Sequence, residues 1–200
     1  MIASVAIVNE PDEARERQWV AAARRGDTEA YRRVVELYQA RIYTFLLRMV
    51  RQREEAEDLA QETFVRAWRN LDHYDERWAF RTWLFTIARN LALNVLRRPR
   101  AAIVSIHGDE RDDRPPPAIA AAGPSPAERA VHSERQRRLV EALEQMAPRA
   151  AMIFTLFYQE EMSIADIART TGMTQGAVKV ALHRTRETLR QRLAESNGEP

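Results

Sequence analysis

The chain has 200 residues, 45% hydrophobic and 30% charged, which gives enough apolar material for one large or two small domains. It lacks Cys, which excludes disulfides, thiolate metal sites and a cysteine nucleophile. The formal net charge is only +2, so bulk charge does not mark a polyanion binder, and no apolar run reaches the roughly 18–20 residues of a membrane span.

Residues 1–16 open on an apolar stretch without a basic start or a long apolar core, and read as an N-terminal tail, not a signal peptide. A cytoplasmic protein with no membrane insertion is expected. Pro11-Asp12-Glu13 opens a first helix that should stop at Gly26, since Pro favours the start of a helix and Gly the position past its end. Asp27 is placed to cap a second helix with the apolar stripe Ala30, Val34, Leu37, Tyr38, Phe45 and Met49. A third helix carries Ala56, Leu59, Ala60, Thr63, Phe64, Ala67 and Trp68 at three- and four-residue steps. A fourth runs from about residue 80 to 97, with Phe80, Leu84, Ile87, Ala88, Leu91 and Val95 inward. Residues 17–98 form the first domain.

Pro99 ends that helix. Residues 99–125, with Pro115-Pro116-Pro117, Gly108, Gly123 and a charged cluster, keep no apolar period and read as a flexible linker. The second domain, 126–195, starts behind Ser125-Pro126-Ala127-Glu128, a cap, a first-turn Pro and an acid in the first turn. Its first helix ends near Met146-Ala147-Pro148, and a short one carries Ile153, Phe154, Leu156 and Phe157. Ser163 and Asp166 resemble a capping box for a helix that Gly172 ends. Thr174 caps a last helix with Val178, Leu182, Thr185 and Leu189 inside. The fold class is all-α: two small helical domains joined by a flexible linker.

Charge is distributed unevenly. Eight Arg face three acids between residues 66 and 100, and five bases face one acid between 179 and 192. Five acids and no base lie between 54 and 62. Two basic patches suggest two polyanion contacts, and the acidic one either a protein contact or a solvated face. The last two helices have helix-turn-helix grammar: a short apolar-faced helix, a turn with Gly172, then a capped amphipathic helix sized for the major groove. Gln175, Lys179, Val180, His183 and Arg184 lie on its outer face. A solvated helix hairpin with surface Arg remains the plain alternative.

Residues 58–68 (DLAQETFVRAW) and 80–90 (FRTWLFTIARN) resemble conserved region 2 of the extracytoplasmic-function (group 4) sigma factors of RNA polymerase. Residues 163–168 (SIADIA), 176–179 (GAVK) and 182–186 (LHRTR) are similar to region 4 of that family. The resemblance covers roughly residues 20–98 and 127–192, in the family's order. It implies a specificity factor that binds core polymerase at the clamp helices of the largest subunit and at the flap, recognises promoter DNA, and is held by an anti-sigma factor.

By that resemblance, Asp58, Gln61 and Glu62 dock on the clamp helices. The loop at 72–79 holds a flipped base of the −10 element, and Trp78, Arg81, Trp83, Ala88, Arg89, Asn90 and Asn94 line the −10 surface. Melted DNA needs stacking faces and phosphate partners together, and aromatic and Arg residues interleave here. Trp83 and Phe80 are at least as readily core; Trp78, in the loop, is the better exposed aromatic. Gln175, Lys179, Val180, His183 and Arg184 contact the −35 duplex. Two departures affect −35 sequence preference: Val180-Ala181 where the family commonly has Ser then Arg, and Glu161 where a Gly is usual. Val180 trades a polar base contact for an apolar one to a thymine methyl. The linker acids Asp109, Glu110, Asp112 and Asp113 are suited to mimic nucleic acid inside polymerase.

Three other classes are weaker. An enzyme is not expected, because the four His are scattered and no phosphate loop or nucleophile elbow occurs; no cofactor or metal is expected. A duplex-binding repressor explains only the second domain. A polymerase-binding adaptor would not need the basic run at 179–192.

Overall fold

A computed structural model of the chain describes residues 13–97 and 138–196 apart from 140 and 144. The residues before 13, the linker at 99–125 and the start of the fifth expected helix lie outside them, as do the linker acids.

Helix α1 spans Glu13–Arg24. It begins inside the stretch read as a tail, because Glu13 and Glu16 place two acids in the first turn, where the helix dipole favours them. Gly26, at φ +92°, takes the left-handed turn out of it. Helix α2 is Thr28–Val50, and the Asp27 carboxylate accepts from Ala30 N–H at 3.0 Å as its cap. Helix α3 is Arg53–Arg69, followed by a 3-10 turn at Leu71–His73. Helix α4 is Phe80–Arg97, with the bounds expected from its apolar period.

Residues 138, 139 and 141–143 are helical. Helix α5, Pro148–Phe154, runs on into a π turn at Thr155–Gln159. Its wider winding lets Glu160 N–H donate to Thr155 carbonyl at 3.0 Å, and Glu161 then adopts φ +48°. That left-handed geometry is why a Gly would sit comfortably at 161. Helix α6, Ile164–Thr171, starts on Ser163, whose hydroxyl accepts from Asp166 N–H at 3.1 Å. Gly172, at φ +68°, turns the chain, and helix α7, Gln175–Ser196, starts behind Thr174.

Tyr38, Ile42, Phe45, Leu46, Leu84 and Phe85 are fully buried in the first unit, and Ile153, Leu156 and Ile167 in the second. These belong to one continuous cluster, since α5 packs on α2 and α6 on α4. The two units, expected as separate modules on a tether, therefore share a core. Helix α4 shows why. Beyond its expected inward stripe, Thr82 and Phe85 are also buried, and the apolar surface wraps too far round the helix to serve one neighbour.

Polar contacts reinforce the seam. Arg41 on α2 makes a two-point ion pair with Glu160, at 2.6 and 2.8 Å. Arg48 donates to Thr155 Oγ1 at 2.8 Å and to Gln159. Arg51 donates to the Met146 carbonyl. Burial pushes the Glu160 carboxyl above its ordinary range, although Arg41, Arg81 and Arg48 all pull the other way.

Candidate nucleic-acid interface

Three surfaces carry the expected site residues. The first is the helix-turn-helix of α6 and α7. Val178, Leu182, Thr185 and Leu189 are buried, which turns Gln175, Lys179, Val180, His183 and Arg184 outward; all five are exposed, Val180 at 52%. Basic residues further along α7 are engaged by the protein. Arg186 lies against Phe157 and donates to the Tyr158 hydroxyl, Arg190 pairs with Glu187 at 2.7 Å, and Arg192 donates to Gln145 at 2.7 Å. Lys179 and Arg184 form no ion pair among the described residues. The free basic charge is thus concentrated in the first three turns, where a recognition helix meets the groove.

The second surface is the loop between α3 and α4. The Tyr74 hydroxyl donates to the Trp78 carbonyl at 2.5 Å, and Arg77 grips Asp75 at 2.6 Å, holding that carboxyl down at about 2. Arg24 of α1 reaches across to Glu76 and to the Asp72 carbonyl. Trp78 is 39% exposed, and the Arg169 guanidinium of α6 lies over its ring.

Trp83 is half-buried in a cluster with Tyr74 and Phe80, at ring separations of 5.4 and 5.5 Å, so packing accounts for most of its surface. Arg81 is half-buried, and Asn90 and Asn94 are exposed on α4. Arg89 donates to Asn90 at 3.1 Å, but its Nε is buried with no partner among the described residues. Burial and the neighbouring charges of Arg97 and Arg149 lower its pKa. Ala88 corrects the expectation. It is fully buried, because the helical phase that sends Leu84 and Leu91 inward sends Ala88 with them, so it does not line an open surface.

The third surface is α3. Asp58 and Gln61 are exposed, and Glu62 is half-exposed and paired with Arg66 at 2.6 Å. Val65, 41% exposed, continues the stripe into a shallow apolar cleft shared with Tyr31, Phe64 and Trp68.

A cavity of about 560 Å³ lies between α1, α2, the loop and the start of α4. Glu16, half-buried in its wall, accepts from the Tyr38 hydroxyl at 2.9 Å. Burial raises the Glu16 pKa against the pull of that bond and of Arg81 and Arg41. No sequence pattern marks Glu16, Arg24 or Arg169 as neighbours of the loop; their contacts cross between helices, and no local period records them. Among the described residues no group of His, Asp and Glu could hold a metal ion, and no helix is long and apolar enough to cross a membrane.

The chain matches Sigma-70 region 2 over residues 34–102 and Sigma-70 region 4 over residues 136–189. It is 30% identical over 180 residues to the ECF RNA polymerase sigma factor SigW of Bacillus subtilis, covering 87% of this chain and 94% of that one. Its fold is similar to that of CnrH, solved with the cytosolic domain of CnrY, with a TM-score of 0.61 at 22% identity over 90% of this chain and 98% of the other. It is also similar to RpoE of Bartonella quintana, solved with the anti-sigma factor NepR, with a TM-score of 0.59 at 21% identity over 82% and 96%. The chain belongs to the extracytoplasmic-function family of RNA polymerase sigma factors, and as such it binds core RNA polymerase and directs promoter-specific transcription initiation.

Proposed function

We propose that the chain divides this task among the three surfaces, with residues 17–98 extended back to Glu13 as region 2, 99–125 as linker and 126–195 as region 4. The α7 face of Gln175, Lys179, Val180, His183 and Arg184 enters the major groove of the −35 duplex. The loop and α4 take the melted −10 strand through Trp78, Arg81, Arg89, Asn90 and Asn94, with Trp83 as the floor behind them. Arg89 is suited to a phosphate, which would relieve the crowding by Arg97 and Arg149. Asp58, Gln61 and Glu62 meet a basic coiled coil of the polymerase, where complementary charge speeds and orients docking.

The factor acts in the cytoplasm and performs no catalysis. Because RpoE is held by an anti-sigma factor, a partner of that kind is proposed here too, seated on the apolar cleft beside α3 or on the face of region 4. Arg169 covers Trp78, so stacking a base on that face requires the Arg169 guanidinium to move aside.

The observation that carries the reading is the split within α7: its distal Arg are used internally, while Lys179 and Arg184 are left to solvent. Run-off transcription with purified core polymerase tests it. Neutralising Lys179 and Arg184 together should abolish promoter-specific initiation and spare core binding. Undiminished transcription would overturn the assignment of α7.

A further inference from the structure

The cavity beside the loop holds a carboxylate that promoter binding, as described so far, does not use. Glu16 stands in its wall with Tyr38, while Trp78, Ala79 and Arg81 from the loop side line the same space. At about 560 Å³ the cavity is large enough for a nucleotide. Once Arg169 moves aside, Trp78 offers a flat stacking face, and the exposed Arg77 can exchange Asp75 for a phosphate. Glu16 adds to that lining an acceptor able to tell one base edge from another.

A carboxylate only accepts hydrogen bonds. The Tyr38 hydroxyl occupies Oε2 of Glu16 at 2.9 Å, and no other hydrogen bond to this side chain occurs among the described residues. The remaining oxygen is matched by the exocyclic amine of cytosine or adenine. Thymine has no exocyclic amine, and its carbonyl at the same position would set lone pairs against the carboxylate.

We propose that Glu16 is a specificity-determining residue of the −10 contact: it reads the exocyclic amine of an extruded cytosine or adenine. This rests on the assignment of the loop to the melted −10 strand. Helix α1 thereby becomes part of the promoter-reading surface, with Arg24 fixing the loop against it through Glu76 and the Asp72 carbonyl.

The discriminating variant is Glu16→Gln. Its amide oxygen can still accept from Tyr38, and its NH2 adds a donor where only an acceptor stood, so a base carbonyl becomes the better partner. Holoenzyme is assayed for open-complex formation on promoters carrying each of the four bases at each non-template −10 position. At one position the wild type should favour C or A over T by about ten-fold, the scale of a good base-edge contact. Glu16→Gln should lose or invert that preference there and nowhere else.

A second measurement needs no variant. At that position, replacing cytosine or adenine by its analogue lacking the exocyclic amine should cost the wild type the same factor. Trp78→Ala separates the two layers of the argument. If it leaves −10 binding intact, the loop assignment itself fails. If it impairs binding while Glu16→Gln keeps the wild-type base profile and the amine-less bases bind normally, Glu16 has no reading role and the proposal falls alone.

Discussion

Arg41 of α2 and Glu160, at the end of the π turn, form a two-point ion pair that joins the half of the chain built from α1 to α4 to the half that holds the helix-turn-helix. The side chains are only 17% and 4% exposed, so each depends on the other to offset its loss of water. Removing one partner of a buried pair typically costs about 3–5 kcal/mol. Here the two units can part and rehydrate the survivor, so the cost cannot exceed the free energy of closing. Arg41→Ala should therefore open the protein. Small-angle scattering should record a larger radius of gyration, with helix content by circular dichroism unchanged. A variant as compact as the wild type would show that apolar contacts alone hold the seam.

The same glutamate makes closure sensitive to acid. Because burial raises its folded pKa, the folded chain binds a proton more readily than the unfolded chain. Its contribution is complete below the unfolded value and is lost as pH rises through the folded value. Between pH 7 and pH 5 the wild type should gain thermal stability relative to Glu160→Gln, which cannot titrate. A gap between the two that stays constant, or shrinks as pH falls, would contradict this.

Glu161 sits in left-handed backbone, where a non-Gly residue costs roughly 1–2 kcal/mol. Glu161→Gly should recover about 1 kcal/mol of that after its own entropic cost, raising Tm by roughly 2–4 °C for a chain of this size. Differential scanning calorimetry decides; a lower Tm would mean the Glu161 side chain makes a contact worth more than the strain.

Val180 and Lys179 should separate in their effects on −35 binding by holoenzyme. If Val180 touches a thymine methyl, replacing that thymine by deoxyuridine should weaken wild-type binding a few-fold and leave Val180→Ala nearly indifferent. Lys179→Ala should weaken binding on all sequences and reduce the salt-dependence slope by about 1. Equal sensitivity of wild type and Val180→Ala to the missing methyl at every −35 thymine would rule the contact out.

Much of the fold could be read from periodicity. Asp27, Ser163 and Thr174 cap the helices they were expected to cap, α4 has its expected ends, and the residues proposed for the −35 duplex emerge on the exposed face because Val178, Leu182 and Leu189 fix the phase of α7. What could not be read were relationships between helices. The seam between the units, the belt from Arg24 to Glu76 and the stacking of Arg169 on Trp78 join residues far apart in sequence, and no local rule encodes such pairs. Ala88 was placed by resemblance on a surface its own helical phase denies it. Helix α1 opens at Glu13, where Pro11-Asp12-Glu13 places its start, so the tail expected over residues 1–16 overlaps its first turn.

Because Phe85 and Ile167 lie in one uninterrupted cluster, the halves of this molecule have been fitted to each other as well as to DNA. A chimera that borrows its second half from a relative would inherit a mismatched partner for α2 and α4. Such hybrids should express poorly or clump even where each donor half is healthy, and rescuing them would call for exchanging Arg41, Arg48 and Arg51 along with the graft.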